Sequence, residues 1–283
     1  MTLKELKKHI VTSLAHAVGG TEAEAMARVI FEDVLGVDTV AAALNPDRQL
    51  CSESVEPVET ILRRVSEGGE PLQYVLGNCL FHGLKLNVTP AVLIPRPETS
   101  GLVDIVVDTA AGRPDLRVLD VGTGSGAIAI ALARTLPFCS VTAVDVSADA
   151  LEVARGNCRE LGVKNVKTVL RDVLRQGLPS EEFDIIVSNP PYVQESERVA
   201  MSERVLAHEP SVALFVPDSD PLVFYRRIVE GCRMQASVKL FFEINPLLAN
   251  DVKALLESSG CDEVEILRDY RGKQRYATAR HNG

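Results

Sequence analysis

Residues 119–133, LDVGTGSGAIAIALA, constrain the fold more tightly than any other stretch of the chain. An apolar run of strand character enters a turn in which every second residue is glycine, and an apolar helical run leaves it. Gly122, Gly124 and Gly126 let the backbone approach a ligand with no Cβ in the way, and the start of the helix offers it free N–H donors. The spacing is G-x-G-x-G rather than the G-x-G-x-x-G of dinucleotide sites, and no Walker lysine motif accompanies it, which argues against a nucleoside triphosphate.

The sequence on either side extends this unit into a sheet. Strands are predicted at 116–121, 140–145, 165–170, 183–188, 238–243, 262–267 and 275–280, and helices near 125–136, 148–161, 221–234 and 246–258. Pro246 falls in the first turn of the last helix, where its missing N–H does no harm. Alternation of this kind predicts a mostly parallel sheet covered on both faces. The last two strands have no helix between them, so the short link at Arg271-Gly272 must join antiparallel neighbours. Asp145 ends the second strand, where a carboxylate can accept both hydroxyls of a ribose, and Asp172 ends the third, near where an adenine would lie.

Upstream the periodicity differs. Leu3, Leu6, Ile10 and Leu14, then Met26, Val29, Ile30 and Val34, then Val58, Ile61, Leu62 and Val65 recur at helical spacing, implying three or four short helices. Thr21-x-x-Glu24 is expected to be a capping box for the second of them. Between 74 and 95 the period becomes two: Leu84, Leu86 and Val88 alternate with polar residues after a predicted hairpin turn at His82-Gly83. Pro95-Arg96-Pro97-Glu98-Thr99 then leads into an apolar helix over 102–111. The expected organisation is a helical docking domain at 1–73, a β-hairpin linker at 74–95 and a catalytic domain at 96–283.

Charge and composition exclude several functions. The net charge is −9, residues 1–80 carry seven basic side chains against twelve acidic ones, and no basic run stands out. The electrostatic footprint of a DNA reader is therefore missing, and the helical region reads as a protein-docking bundle. Six cysteines are scattered singly, with no C-x-x-C pair and no histidine at zinc-ligand spacing, so reduced thiols and no metal are expected. The start is charged, and the longest apolar runs fall far short of the roughly 18 residues a membrane span needs, which predicts a cytoplasmic protein without an anchor.

SNPPYV, residues 188–193, closes a buried strand on two residues that cannot donate to a ladder. DVGTGSG at 120–126, Asp145 and NPPY at 189–192 together resemble the class I S-adenosylmethionine-dependent methyltransferases that modify amino groups. Their Rossmann-like sheet has seven strands, the last antiparallel to the rest. Methyl transfer from a sulfonium has a neutral leaving group, so orientation of the nucleophile is the main lever. An amide or exocyclic amine nitrogen delocalises its lone pair and must be turned toward the methyl. The side-chain oxygen of Asn189 and the carbonyl of Pro190 are two acceptors on one stiff turn that can do this, and Tyr192 offers a ring against which a planar group could lie. A neutral Asn does not retain the product proton, so no dedicated base is expected.

NPPY alone leaves adenine N6, cytosine N4 and glutamine N5 open, and DNA adenine N6-methylation is the alternative reading. The segment PLQYVLGNCLFHGLKLNVTPAVLIPRPET at 71–99, with HEPSVAL at 208–214, resembles the HemK/PrmC family, which methylates the glutamine of the Gly-Gly-Gln motif in class 1 peptide-chain release factors. The resemblance covers nearly the whole chain. It implies that Gly122, Thr123, Gly124, Ser125, Gly126, Asp145, Asp172, Val173 and Asn189 hold S-adenosylmethionine. It further implies that Asn189, Pro190, Pro191 and Tyr192, with Phe81, Arg96 and Thr99, form the substrate site, and that the helical domain docks the release factor, with no DNA or membrane involved. Ser100, Pro221 and Asn245 depart from the family pattern, the last where many members have glycine.

Overall fold

A computed structural model describes residues 1–110, 112–232 and 237–282, in two compact units: residues 1–77 with 202–208, and residues 78–201 with 209–283. No helix among the described residues is long and apolar enough to cross a membrane.

The first unit is helical: α1 (Leu3–Val18), α2 (Gly20–Leu35), α3 (Thr39–Leu44), α4 (Ser52–Ser66) and α5 (Leu72–Leu76), with a short helix from the later segment. Leu6, Ile10 and Leu14 of α1 pack with Met26 and Ile30 of α2 and with Val58, Leu62 and Val65 of α4 in one buried cluster. Each such side chain contributes about 1.5–3 kcal/mol by leaving water. Val29 is exposed and lies outside that core, although its helical spacing placed it within. The expected capping box at Thr21 does not form. Gly19, at φ 86°, caps α2 instead, so the helix starts before Thr21 and leaves it inside the first turn. A capping box does form one helix earlier, where Thr2 Oγ1 accepts from the Glu5 N–H at 3.1 Å and Glu5 Oε2 accepts from the Thr2 N–H at 2.8 Å.

The second unit opens with the hairpin β1 (Asn78–Phe81) and β2 (Leu84–Asn87). Its turn residues His82 and Gly83 have φ 47° and 74°, the two positive values that a tight hairpin matching the strand twist requires. The expected ribbon is shorter than 74–95, because residues 74–76 belong to α5. Helix α6 (Pro97–Ala110) follows; position 111, the end of the predicted helix, lies outside the described residues. A Cβ on Gly101 would stand 2.3 Å from the Tyr276 hydroxyl, so glycine is what lets α6 approach the sheet there.

The sheet strands and their helices run β3 (Arg117–Val121), α7 (Ala127–Thr135), β4 (Ser140–Asp145), α8 (Ala148–Glu160), β5 (Val166–Leu170), α9 (Val173–Gln176) and β6 (Ile185–Ser188). A small parallel pair, β7 (Val193–Gln194) and β8 (Phe215–Val216), brackets α10 (Glu203–His208), the segment that belongs to the first unit. The chain ends with α11 (Val223–Cys232), β9 (Val238–Glu243), α12 (Ala249–Ser258), β10 (Cys261–Arg268) and β11 (Gln274–His281). Positions 233 and 234 of the predicted helix 221–234 lie outside the described residues. The predicted helix 246–258 begins as a 3₁₀ turn over Pro246–Leu248 before α12.

Strand order is β10-β11-β9-β6-β3-β4-β5, parallel except for β11, which is antiparallel to both β9 and β10. The expected seven-stranded sheet with an antiparallel last strand is thus observed. The chain places β4 on one side of β3 and β6 on the other. The order therefore reverses at β3, and open α/β sheets bind ligands at the carboxyl end of such a switch point.

Candidate active site

The register of β3 and β6 builds the site. These parallel strands pair Val121 with Ser188, so the glycine turn after β3 and the Asn-Pro-Pro turn after β6 leave the sheet side by side. The Ser188 hydroxyl donates to the Val121 carbonyl at 2.7 Å and locks the two ends together. A cleft of about 240 Å³ lies here, lined by Gly122 to Ser125, Asp145, Asp172, Val173, Asn189, Pro190, Pro191, Arg96 and Thr99. Its other walls are largely apolar: Val92, Leu93, Ile128, Val146, Leu174 and Phe224.

Most of the residues expected at the site converge on this cleft; three do not line it. Gly126, at φ 82°, caps α7 and faces Ile130 and Ala154. Phe81 is buried on β1. Tyr192 packs against the main core of the unit and donates its hydroxyl to Glu243 Oε1 at 3.0 Å.

The glycine turn is held by carboxylates. Asp145 Oδ2 accepts from the Gly124 N–H at 2.9 Å and Oδ1 from the Ser147 N–H at 2.9 Å, and burial raises the pKa of this carboxyl. Asp172 caps α9 by accepting from the Leu174 and Arg175 N–H groups. Asp120 lies fully buried one strand position before the turn; its Oδ2 accepts from the Thr123 hydroxyl at 2.6 Å and the Ala129 N–H at 3.2 Å. Its Oδ1 has no partner among the described residues, and burial pushes the carboxyl up to about 7. Asn157, on α8, donates to the Ser125 carbonyl at 2.9 Å and the Asn87 carbonyl at 3.0 Å, joining the glycine turn to the hairpin.

A second group of side chains supports the Asn-Pro-Pro turn. Glu243, at the end of β9, is 1% exposed; its Oε2 accepts from the Thr99 hydroxyl at 2.7 Å, and Thr99 in turn accepts from Asn189 Nδ2 at 3.2 Å. Burial raises the Glu243 carboxyl, against the opposing pull of these hydroxyls and of Arg275. Asn245 donates to the Tyr192 carbonyl at 3.2 Å and to Glu197 at 2.8 Å, so it clamps the motif directly. Arg96 is paired with Glu209, whose other oxygen accepts from the Ile94 N–H at 3.3 Å.

Asp120 and Glu243 were not foreseen as site residues, though each carried a signal: an acid written into an otherwise apolar strand. Asn157 carried none, being one polar residue on an amphipathic helix.

The fold and the placing of the cleft define the class, a Rossmann-like class I methyltransferase. Residues 102–213 match the family described as methyltransferase small domain, and residues 5–77 match the PrmC N-terminal domain. The release factor glutamine methyltransferase of Bacteroides thetaiotaomicron is 41% identical over 281 residues, spanning 98% of this chain and 99% of that relative. The protein of the same name from Flavobacterium psychrophilum is 38% identical over 280 residues, spanning 97% and 98%. A solved methyltransferase from Pyrococcus furiosus shares the fold, with a TM-score of 0.50 at 20% identity over 71% of this chain and 90% of its own. The chain belongs to the release factor glutamine methyltransferase family.

Proposed function

We propose that this protein transfers a methyl group from S-adenosylmethionine to the side-chain amide nitrogen of the glutamine in the Gly-Gly-Gln motif of class 1 release factors. The observation that supports the reading is the β3–β6 register, which sets Asn189 and Pro190 beside a glycine turn at a switch point, where Asn189 Oδ1 and the Pro190 carbonyl would serve as the substrate acceptors. S-adenosylmethionine, when bound, supplies a methyl group on a positively charged sulfur.

The residues present fit that group. A Cβ on Gly124 would stand in open space at the cleft wall, so the turn leaves room for a ligand against its backbone. Asp145, although bonded to two N–H groups, keeps lone pairs for a ribose diol, and Val173, Leu174 and Phe224 offer apolar surface for a base. Asn189 and Pro190 would each accept one N–H of the glutamine amide, turning its nitrogen lone pair toward the methyl. Because orientation is the main lever, fixing this amide supplies most of the effect. Positive charge that develops on nitrogen leaves with its proton to solvent. The helical unit docks the body of the release factor, which the acidic balance of residues 1–80 allows and which it withholds from DNA.

The test is mass spectrometry of a release factor incubated with the protein and S-adenosylmethionine. The peptide bearing Gly-Gly-Gln is expected to gain the mass of one methyl group; an unmodified glutamine, or label appearing in duplex DNA instead, overturns the reading. Asn189→Ala is expected to lower turnover by about 100-fold or more while cofactor affinity stays within a few-fold.

A further inference from the structure

We propose that Glu243 and Thr99 are positioning residues that decide which end of the Asn189 amide is offered to the substrate. The inference rests on the reading of Asn189 Oδ1 as a substrate acceptor.

An Asn side chain has an oxygen that accepts and a nitrogen that donates, nearly identical in shape, so its orientation is set by its neighbours. Here the neighbours form a directed chain of hydrogen bonds. Each oxygen of Glu243 accepts from a hydroxyl, Oε1 from Tyr192 at 3.0 Å and Oε2 from Thr99 at 2.7 Å, so the Thr99 proton points at the carboxyl group. That hydroxyl then has only lone pairs left for Asn189, so the amide presents Nδ2 to it, at 3.2 Å. Oδ1 is thereby the end left for a donor in the cleft. If the amide flipped, its oxygen would face the oxygen of Thr99 with no proton between them, and Nδ2 would face the N–H of the substrate.

The other oxygen of Glu243 is committed in the same sense, since the Tyr192 hydroxyl donates to it at 3.0 Å. One carboxylate therefore anchors both ends of Asn-Pro-Pro-Tyr. The three partners come from α6, β9 and the turn after β6, and Thr99 and Glu243 are both buried, so water is a poor substitute for either.

Thr99→Val keeps the shape and removes the hydroxyl; Thr99→Ser keeps the hydroxyl and removes the methyl. With a release factor as substrate, Thr99→Val is expected to lose about 10- to 100-fold in kcat with cofactor affinity unchanged, and Thr99→Ser to stay within about threefold of the parent. A purely packing role for Thr99 reverses that ranking and overturns the proposal. Should Thr99→Val fail to fold, Thr99→Ala against Thr99→Ser isolates the same oxygen, and equal kcat for the two is the overturning result. Asn189→Ala run alongside separates the two ideas. Loss of activity there with full activity in Thr99→Val removes the relay alone, whereas retained activity in Asn189→Ala removes the acceptor reading beneath it.

Discussion

Asp120 is one of two carboxyls, with Asp145, that hold the glycine turn and whose pKa burial raises. An exposed Asp loses its proton near 3.9, but this one is fully buried, its Oδ1 has no partner among the described residues, and its folded value is pushed up to about 7. A group raised in the folded state contributes stability that is fully present below its unfolded value and is lost as pH rises through the folded one. The wild-type protein should therefore lose stability between about pH 4 and 7 through this residue, and no more above that range. Asp120→Asn removes the titration. Urea midpoints measured at pH 5 and pH 8 should thus fall less in the variant than in the parent, since the other titrating groups are common to both. Equal falls would mean that Asp120 is already ionised in the fold.

At the scale of elements, two glycines of one turn are needed for different reasons. Gly124 has φ 53° with open space where a Cβ would go, and it lines the cleft. Gly126 has φ 82°, and a Cβ there would meet Ile130 Cδ1 at 3.0 Å and Ala154 Cβ at 3.2 Å, a contact between α7 and α8. Gly126→Ala should cost stability by about 1–2 kcal/mol from backbone strain alone, with the contact adding to it. Gly124→Ala should cost less stability and more affinity for S-adenosylmethionine, because its methyl occupies the cleft. Denaturation and calorimetric titration of the pair check this, and a reversed ranking would contradict the geometry.

The glycine turn and the Asn-Pro-Pro turn were both legible in the sequence because their chemistry is local: a backbone conformation, a missing N–H, a strand that must end. What holds them was not legible. Glu243 reaches Asn189 through Thr99, far from both in sequence, and it takes the β6–β9 pairing and the packing of α6 beside β9 to bring the three together. Tyr192 was expected to offer its ring to a substrate, and the partner that holds its hydroxyl, the buried Glu243 carboxyl, lies 51 residues on and was not legible beside it. The capping box shows the same limit at close range. Thr21 and Glu24 have the right spacing, yet the helix begins earlier, with Gly19 as its cap, so the pattern stands two residues out of place.

For the whole molecule, the size of the cleft raises the question of where substrate affinity comes from. On the proposed reading the glutamine side chain is one small group beside the cofactor in that cleft, so it offers little surface of its own to bind. An amide bound by two neutral acceptors contributes only about 1–3 kcal/mol in all. On that reading most of the affinity for a release factor comes from contacts outside the cleft, and the helical unit, which has its own buried core and an acidic balance, supplies no residue to the cleft lining. Binding energy gained remotely can also be used to hold the reacting group in place. A short peptide containing Gly-Gly-Gln should therefore be methylated with kcat/KM lower by about 100-fold or more than a whole release factor, while the affinity for S-adenosylmethionine is the same in both assays. If KM alone rises, docking serves only to recruit. If kcat falls as well, docking also sets the angle at which the glutamine amide meets Asn189 and Pro190. Equal kcat/KM for the peptide and the whole protein would instead place all recognition inside the cleft and leave the helical unit without a part in catalysis.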